Sequence, residues 1–297
     1  MPSKETVKTY ENRVEVLRKL LGITDGSLEF LLDYRKIRSI IESQQWADTT
    51  KKTTYVSIIS IGRDKHLFSE KIILKYRNEL WKYKKKITEW THKNIKSQKQ
   101  EENWIEWKKI IKLRNKLKKD TSTTRKYLKY LAICLLTYFP PRRTKDYAVM
   151  KMTSRESKTK DTNYNYCLIS NGKMSFIFNN YKTNKTYGRQ EFIVPKQLKK
   201  VIVNWLVHNT SQWMITTDGK SKKPMAINTF TKCVTNIFNE YLGKKASPNI
   251  FRHSFISFLN RQNISLENRK KVSKKMAHDI MTQLEYAKID DINVNLI

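Results

Sequence analysis

Apolar residues repeat at helical spacing along most of the chain, and a strand pattern replaces this repeat over one short stretch. Helical repeats cover residues 11–21, 27–44, 50–61, 69–88, 123–139, 196–208, 228–242, 248–262 and 265–277. Strand-type runs at 164–170 and 173–179 flank Asn171-Gly172, a pair that favours a tight hairpin turn, and a third run covers 191–194. The sequence therefore predicts a mainly α fold with a small antiparallel β-sheet, in the α+β class.

The helical pattern is interrupted once in the first half of the chain. Residues 89–103 are polar and charged without apolar periodicity, and a new helical pattern starts at Trp104 and Trp107. We therefore expect two domains. Residues 1–98 form a helical domain with its linker, and residues 99–297 form a second domain that holds the three predicted strands.

The charge of the chain is strongly positive. Sixty Lys and Arg stand against 27 Asp and Glu, a formal net charge of +33. Residues 1–98 carry 21 basic and 12 acidic side chains, and residues 99–297 carry 39 and 15. A field of this sign attracts polyanions, so we expect nucleic acid as the partner. A generally Lys-rich, solvated surface is the alternative reading of the charge alone.

Cysteine spacing and apolar runs exclude several classes of protein. The three cysteines are far apart and form no CxxC or Cys/His cluster, so we expect no metal, no cofactor and no disulfide framework. The N-terminus lacks the apolar stretch of a signal peptide, and the longest apolar run, at 130–141, is too short to span a bilayer. We expect a soluble intracellular protein without a membrane partner.

A few residues could carry chemistry, and their order along the chain matters more than any one of them. Taken singly, each is more simply a surface charge or a packing residue. They are Arg143 after a double proline, Lys182 between the second and third predicted strands with Lys185 as the fallback, Asn249 and Arg252 at the start of a helix, His278, and Tyr286 near the C-terminus.

This ordered set resembles the tyrosine recombinase (phage integrase) family, whose pattern is Arg…Lys…His-x-x-Arg…His/Trp…Tyr. Residues 143–146 resemble its Arg-x-x-Glu turn with Asp for Glu, 251–255 its Leu-Arg-His-Ser-Phe segment, and 276–278 its Leu-Gly-His segment. The resemblance covers about residues 99–290, and the front domain is similar in type to the family's core-binding domain. Residues 140–143 and 103–107 look most like integrases of large DNA viruses and of virus-like mobile elements.

The resemblance implies a DNA strand transferase of the integrase or recombinase type, which needs neither metal nor ATP. Tyr286 would attack a DNA phosphate and form a 3′-phosphotyrosine. The guanidinium groups of Arg143 and Arg252 would stabilise the charge on the phosphate, with further hydrogen bonds from His278 and Asn249. Lys182 would donate a proton to the leaving 5′-oxygen.

The resemblance also implies partners and places. The protein would act as a homo-oligomer, a tetramer, on double-stranded DNA, with residues 1–98 forming half of a clamp around the duplex. A viral source would place it in a host nucleus or a virion. Residues 287–297 are amphipathic enough to dock on a neighbouring subunit, a feature that favours a recombinase.

One departure from the family pattern leaves alternatives open. Asn249 stands where the family has His, and an amide donates hydrogen bonds but cannot carry a proton at pH 7. His253, next to Arg252, should point about 100 degrees away on a helix and is not expected to substitute. The alternatives are a type IB topoisomerase, which uses the same groups, and a DNA-binding protein whose site has decayed at Asn249.

Overall fold

The computed structural model describes residues 4–289 and divides the chain into two compact units. The first extends to Lys93 and the second begins at Asn94. This boundary lies inside the stretch predicted as a linker. Most of the segment predicted to dock on a neighbouring subunit, residues 290–297, lies outside the described residues.

The first unit is helical. Its elements are α1 (Lys4–Leu20), a 3-10 turn (Glu29–Leu32), α2 (Tyr34–Ser43), α3 (Asp48–Asp64) and α4 (Glu70–His92). Buried tyrosines fill its core, and their hydroxyl groups have partners. Tyr76 donates to the Leu31 carbonyl at 2.7 Å, and Tyr83 donates to the Glu42 carboxylate at 2.5 Å. Pairing of this kind is what a buried polar atom requires.

The second unit contains ten α-helices and four strands within the described residues. The helices are α5 (Gln98–Asn103), α6 (Trp107–Leu117), α7 (Thr124–Thr137), α8 (Thr144–Ala148), α9 (Asn184–Tyr187), α10 (Lys196–His208), α11 (Ile227–Leu242), α12 (Pro248–Asn260), α13 (Leu266–Met276) and α14 (Ile280–Tyr286). The strands are β1 (Met150–Thr153), β2 (Asn165–Ser170), β3 (Lys173–Phe178) and β4 (Gln190–Ile193), with a 3-10 turn at Glu156–Lys160. The predicted fold class, mainly α with a small sheet, is confirmed.

The sheet differs from the prediction in one strand. The β2–β3 hairpin turns at Asn171-Gly172, whose φ angles of 50° and 70° are those that favour Asn-Gly, and β3 pairs antiparallel with β4. However, β1 adds parallel to β2, so the sheet has four strands and is mixed rather than three-stranded and antiparallel. The sequence pattern did not show β1 because only Met150 of its four residues is buried, which leaves no alternation to detect.

The predicted linker was also partly wrong. The helix α4 continues to His92, and α5 begins at Gln98. A capping box starts α5, since Ser97 accepts from the backbone N–H of Gln100 while the Gln100 side chain accepts from that of Ser97. None of the residues in α5 is buried, which explains why its sequence shows no apolar periodicity.

The helix α7 lies at the centre of the core of the second unit. It packs against α6, α10 and α11, and nine of its 14 residues are buried. The hydroxyl of Tyr127 donates to the carbonyl of Val201 in α10 at 3.0 Å. The helix ends before Pro140-Pro141, since proline cannot continue the backbone ladder. No helix within residues 4–289 is both long and apolar enough to cross a membrane.

Candidate active site

The C-terminal end of α13 is held by side chains from three other parts of the second unit. The last carbonyls of a helix have no donor within the helix, and they form the negative end of its dipole. Here the carbonyls of four consecutive residues, 274 to 277, each accept a hydrogen bond from a side chain. In that order, the donors are Gln190 at 3.3 Å, Arg142 at 2.9 Å, Arg252 at 3.4 Å and Thr183 at 2.9 Å. Two guanidinium groups thus lie at the negative helix end, and the chain that leads to His278 is fixed.

Ala277 directs the chain out of α13. Its φ of 56° and ψ of 51° lie in the left-handed region, where glycine is the common residue, and its position matches the glycine of the Leu-Gly-His segment. The following backbone N–H, of His278, donates to the carbonyl of Ser273 at 3.2 Å and closes the helix end. His278 is therefore placed by a sharp turn, directly before the Asp279 cap of α14.

Arg252 lies at the centre of the site. It is 2% exposed, its Nη1 donates to the carbonyl of Pro141 at 2.9 Å, and its Nη2 lies 3.1 Å from Nδ1 of His278. The guanidinium carbon is 4.9 Å from the centre of the Tyr286 ring. Burial lowers the pKa of Arg252, and the Tyr286 phenol acts in the opposite direction. One side chain of α12 thus joins three segments that are distant in sequence.

The contact with Arg252 fixes the tautomer of His278. A guanidinium only donates, so Nδ1 of His278 accepts and the proton of the neutral ring is on Nε2. Burial, followed by the charges of Arg252 and Arg143, lowers the pKa of His278 to about 3, which keeps the ring neutral at pH 7. Its buried Nε2 has no hydrogen-bond partner among the described residues. His278 therefore offers one N–H donor to whatever enters the site.

Tyr286 is the last residue of α14 and is half-buried. Its ring centre lies 4.7 Å from that of His253 and 5.5 Å from that of His278. The phenol is thus neither sealed in apolar packing nor remote from the cations.

The two neighbouring arginines after the double proline have different surroundings. The sequence analysis placed Arg143 in a motif with Asp146, but the carboxylate pairs with Arg142 at 2.8 Å, and both partners are almost fully buried. Arg142 also donates to the Gln190 side chain and lies over the Phe178 ring. Arg143, in contrast, is half-buried, and its charge lowers the pKa of both Arg252 and His278, after burial in each case. The charge of Arg143 therefore acts on the site, and Arg142 belongs to its framework.

The structure places the remaining predicted residues at the edge of this cluster. Lys182 and Lys185 are both exposed in the segment between β3 and β4. Thr183 fastens that segment to the chain before His278. Asn249 is exposed in the first turn of α12, and its Nδ2 lies 3.4 Å from Nε2 of His253.

Two of the residues that the sequence reasoning missed belong here. His253 was expected to point away, yet its Nδ1 lies 2.9 Å from the carbonyl of Tyr286, because α14 packs against that face of α12. Arg142 was taken as a neighbour of the functional residue. Its closeness in sequence to the acidic Asp146 was the available signal, since the two side chains form an ion pair. Gln190 and Thr183 carried no signal in the sequence.

The cluster has the groups that an anionic phosphate ester requires. Two guanidinium groups can stabilise negative charge on phosphate oxygens, a neutral imidazole offers an N–H, and a phenol can act as a nucleophile. Within residues 4–289, His, Cys, Asp and Glu form no group of three or more that could hold a metal ion.

Comparison with solved structures identifies the fold. The chain is similar to the XerH site-specific recombinase bound to difH substrate in a pre-cleavage complex, with a TM-score of 0.57 and 16% identity over 97% of this chain and 77% of that one. XerH on palindromic difH in a post-cleavage complex matches with a TM-score of 0.48 and 14% identity, covering 90% and 75%. The Tn1549 transposon integrase with transposon right end DNA matches with a TM-score of 0.42 and 12% identity, covering 97% and 96%.

No family model and no curated protein matches the sequence. At 16% identity the likeness to XerH shows the fold, and the chain has the fold of the tyrosine recombinases. The fold that the sequence resemblance implied is thereby confirmed.

Proposed function

We propose that this protein is a site-specific DNA recombinase or integrase that cleaves and rejoins double-stranded DNA through a covalent 3′-phosphotyrosine at Tyr286, without metal or ATP. The observation that carries the proposal is the contact of the Arg252 guanidinium with both His278 and the ring of the half-buried Tyr286, with the charge of Arg143 acting on Arg252 and on His278. Basic groups around a half-buried tyrosine fit a phosphodiester better than a neutral substrate.

The arginines supply the positive charge in this mechanism. Attack on a DNA phosphate builds negative charge on the non-bridging oxygens, and catalysis depends on stabilising it. Arg143 approaches from the start of α8 and Arg252 from α12. Nε of Arg252 is buried and has no hydrogen-bond partner among the described residues, and a phosphate oxygen that entered the site would give it one. His278 adds its Nε2–H.

The nucleophilic step forms one bond and breaks another. The Tyr286 oxygen attacks phosphorus and loses its proton to solvent water, a loss that the cationic Arg252 beside the ring favours. The bond from phosphorus to the 5′-oxygen breaks, and Lys182 gives that oxygen a proton. Because the phosphotyrosine keeps the energy of the phosphodiester, a 5′-hydroxyl of another strand can reverse the step and rejoin the DNA.

Lys182 fills this role better than Lys185 for a structural reason. It directly precedes Thr183, whose hydroxyl bonds the carbonyl next to His278, so its backbone has a fixed position relative to the site. Its exposed side chain can then extend towards a bound phosphate. Lys185 lies in the short helix α9, further along the same segment.

DNA is the partner that charge and fold both favour. XerH, which shares the fold, is described in complex with its difH substrate. In the first unit of this chain, α4 presents Trp81, which is 63% exposed, with the Lys84 ammonium 4.6 Å from the ring centre. An exposed aromatic ring beside a cation suits a sugar-phosphate backbone, so we assign DNA contacts to this helix. Assembly as a tetramer on DNA belongs to the same proposal, while a viral source with a nuclear or virion location stays a prediction.

The test is a suicide-substrate assay, in which a nicked duplex traps the covalent intermediate. The wild-type protein should form an adduct that migrates with the DNA on a denaturing gel, and Tyr286→Phe should form none. Tyr241→Phe is the matched control, because Tyr241 is also half-buried but lies on α11. No adduct with any duplex offered would favour a DNA-binding protein without catalysis.

A second assay separates recombination from topoisomerase activity. A recombinase should exchange strands between two sites on different molecules, and the products should be resolved by length. Relaxation of supercoiled plasmid without such exchange would instead assign the protein to the type IB topoisomerases.

A further inference from the structure

His253 connects the helix that carries Arg252 to the residue proposed as the nucleophile. Its Nδ1 lies 2.9 Å from the main-chain oxygen of Tyr286, and its ring is tilted by 39° over the Tyr286 ring at 4.7 Å. That oxygen belongs to the last residue of α14, where a helix leaves its carbonyls without internal partners. The imidazole thus supplies a donor that the short helix lacks.

One turn further along the same face of α12, Ser257 binds the backbone that follows α14. The Oγ of Ser257 accepts from the backbone N–H of Lys288 at 2.8 Å, while its own proton goes to the carbonyl of His253, also at 2.8 Å. His253 and Ser257 therefore bind the backbone on both sides of Ala287. Two hydrogen bonds from one helix fix both the position and the rotation of the end of α14.

The partners of His253 determine its tautomer. A carbonyl only accepts, so Nδ1 carries the proton and Nε2 has a free electron pair. The Nδ2 of Asn249, one helical turn earlier, lies 3.4 Å from Nε2 and donates to it. A histidine at position 249, as in the family pattern, could donate to Nε2 of His253 only through a protonated ring nitrogen. Asn249 has no second protonation state, so the arrangement holds at all pH values near neutral.

Burial, followed by nearby positive charges, keeps the ring of His253 neutral. Burial is the first cause that lowers its pKa to about 4, and Lys288 and Arg252 act in the same direction, against the hydrogen bond to Tyr286. The Tyr286 ring lies against the imidazole from α14, Lys288 follows α14 directly after Ala287, and Arg252 is the preceding residue on α12 itself. A neutral Nδ1–H donor is therefore the form present at pH 7.

We infer that His253 is a positioning residue for Tyr286, and that Asn249 acts through His253 by fixing its tautomer, in addition to any contact with a DNA phosphate. This inference rests on the proposed function, because it assigns the two residues to the orientation of the nucleophile. It also gives Asn249 a use that does not require it to carry a proton.

Two substitutions of His253 separate its hydrogen bond from its ring. His253→Asn keeps a donor near the place of Nδ1, while His253→Phe keeps a ring of similar shape and loses the donor. One hydrogen bond lost from a positioned nucleophile should slow the step about 10-fold or more. We expect His253→Phe to form the covalent adduct about 10- to 100-fold more slowly, and His253→Asn to stay within about threefold of wild type.

DNA affinity is measured beside the rate on the same full-length variants. An unchanged Kd for uncleaved duplex DNA shows that the loss lies in the cleavage step rather than in binding or folding. His92→Phe, at the end of α4, is the control for a histidine replaced elsewhere. Equal rates for the Phe and Asn variants of His253 would overturn the positioning role.

The tautomer is measured without any DNA, by nitrogen-15 NMR of the histidine-labelled full chain at pH 7. His253 should show a protonated Nδ1 and His278 a protonated Nε2, with assignments from His253→Asn and His278→Gln. In Asn249→Asp the new carboxylate accepts only, so the pKa of His253 should rise by about one unit or more. A protonated Nε2 on His253, or an unchanged pKa in Asn249→Asp, would overturn the inference. Absence of a covalent adduct from wild type would instead count against the proposed function.

Discussion

At the scale of single residues, the adjacent Arg142 and Arg143 show what a sequence motif can predict and what it cannot. The order of basic groups and a late tyrosine predicted Arg252, His278 and Tyr286 as site residues, and the structure brings these side chains together. The different surroundings of Arg142 and Arg143 could not be predicted. Besides Asp146, the partners of Arg142 are Gln190 and the carbonyl of Lys275, which are 48 and 133 residues away along the chain.

Because Arg142 is buried in an ion pair and Arg143 is half-buried, we expect substitutions at the two positions to change different properties, namely stability for Arg142 and cleavage for Arg143. Arg142→Gln should lower the free energy of unfolding by about 3–5 kcal/mol, because it leaves the buried Asp146 carboxylate without its partner. Arg143→Gln should change it by less than about 0.5 kcal/mol and slow adduct formation about 100-fold or more. Urea unfolding and the suicide-substrate assay measure the two quantities. Arg155→Gln, at an exposed site, is the control, and fast cleavage by Arg143→Gln would contradict its role.

The buried histidines also predict how stability depends on pH. The pKa of His278 is lowered to about 3 and that of His253 to about 4, from an ordinary value of 6.5. Below pH 6.5 the unfolded chain therefore binds protons that the folded chain does not. Stability should fall as the pH decreases from about 6.5 towards 4, by up to about 1.4 kcal/mol per pH unit for each histidine.

Urea unfolding at pH 7, 6 and 5 tests this dependence. His278→Gln removes one of the two titrating groups and should give a visibly shallower decrease between pH 6 and 5. The same slope in His278→Gln and wild type would show that His278 titrates normally in the folded protein.

At the scale of elements, local signals predicted what local geometry determines. The β2–β3 hairpin follows from Asn171-Gly172, and α11 from its regular apolar spacing, because turn chemistry and periodicity are properties of short segments. The parallel strand β1 and the cap on α13 depend instead on distant partners. The position of Lys182 combines both kinds of information. The family pattern predicted the segment that carries it, and only the structure shows that a hydrogen bond from Thr183 holds this segment.

The hydroxyl of Thr183 is the attachment point of that segment. Thr183→Val keeps the shape and loses the hydrogen bond to the carbonyl of Ala277, so it should reduce stability by about 1 kcal/mol. It should also slow cleavage about 10-fold, because Lys182 is then less well placed. Thr186→Val, at an exposed site in the same segment, should do neither. Normal cleavage by Thr183→Val would show that the attachment does not matter for the reaction.

At the scale of the whole molecule, the net charge counted from the sequence predicts how DNA binding depends on salt. A net charge of +33 should make DNA binding fall steeply with salt, because each neutralised phosphate releases counterions. The excess extends over both units. The sequence could not show which surface binds, since the same lysines also cover apolar side chains.

The helix α4 is the surface that we expect to contribute in the first unit. Trp81→Ala combined with Lys84→Ala should weaken DNA binding about 5- to 50-fold and reduce the slope of log affinity against log salt by about one. Leu74→Ala is the control on the same helix, because Leu74 is 57% exposed and uncharged. Fluorescence anisotropy over a salt series measures both quantities. Identical salt slopes for the double variant and wild type would exclude Lys84 as a phosphate contact.

The central claim is that the Tyr286 phenol becomes bonded to a 3′-phosphate of DNA. The most direct measurement is mass spectrometry of the trapped adduct after digestion of the protein with trypsin and of the DNA with nuclease. The account predicts a nucleotide attached through its 3′-phosphate to Tyr286 and a free 5′-hydroxyl on the released strand. A nucleotide on any other residue, or a link through a 5′-phosphate, would contradict it.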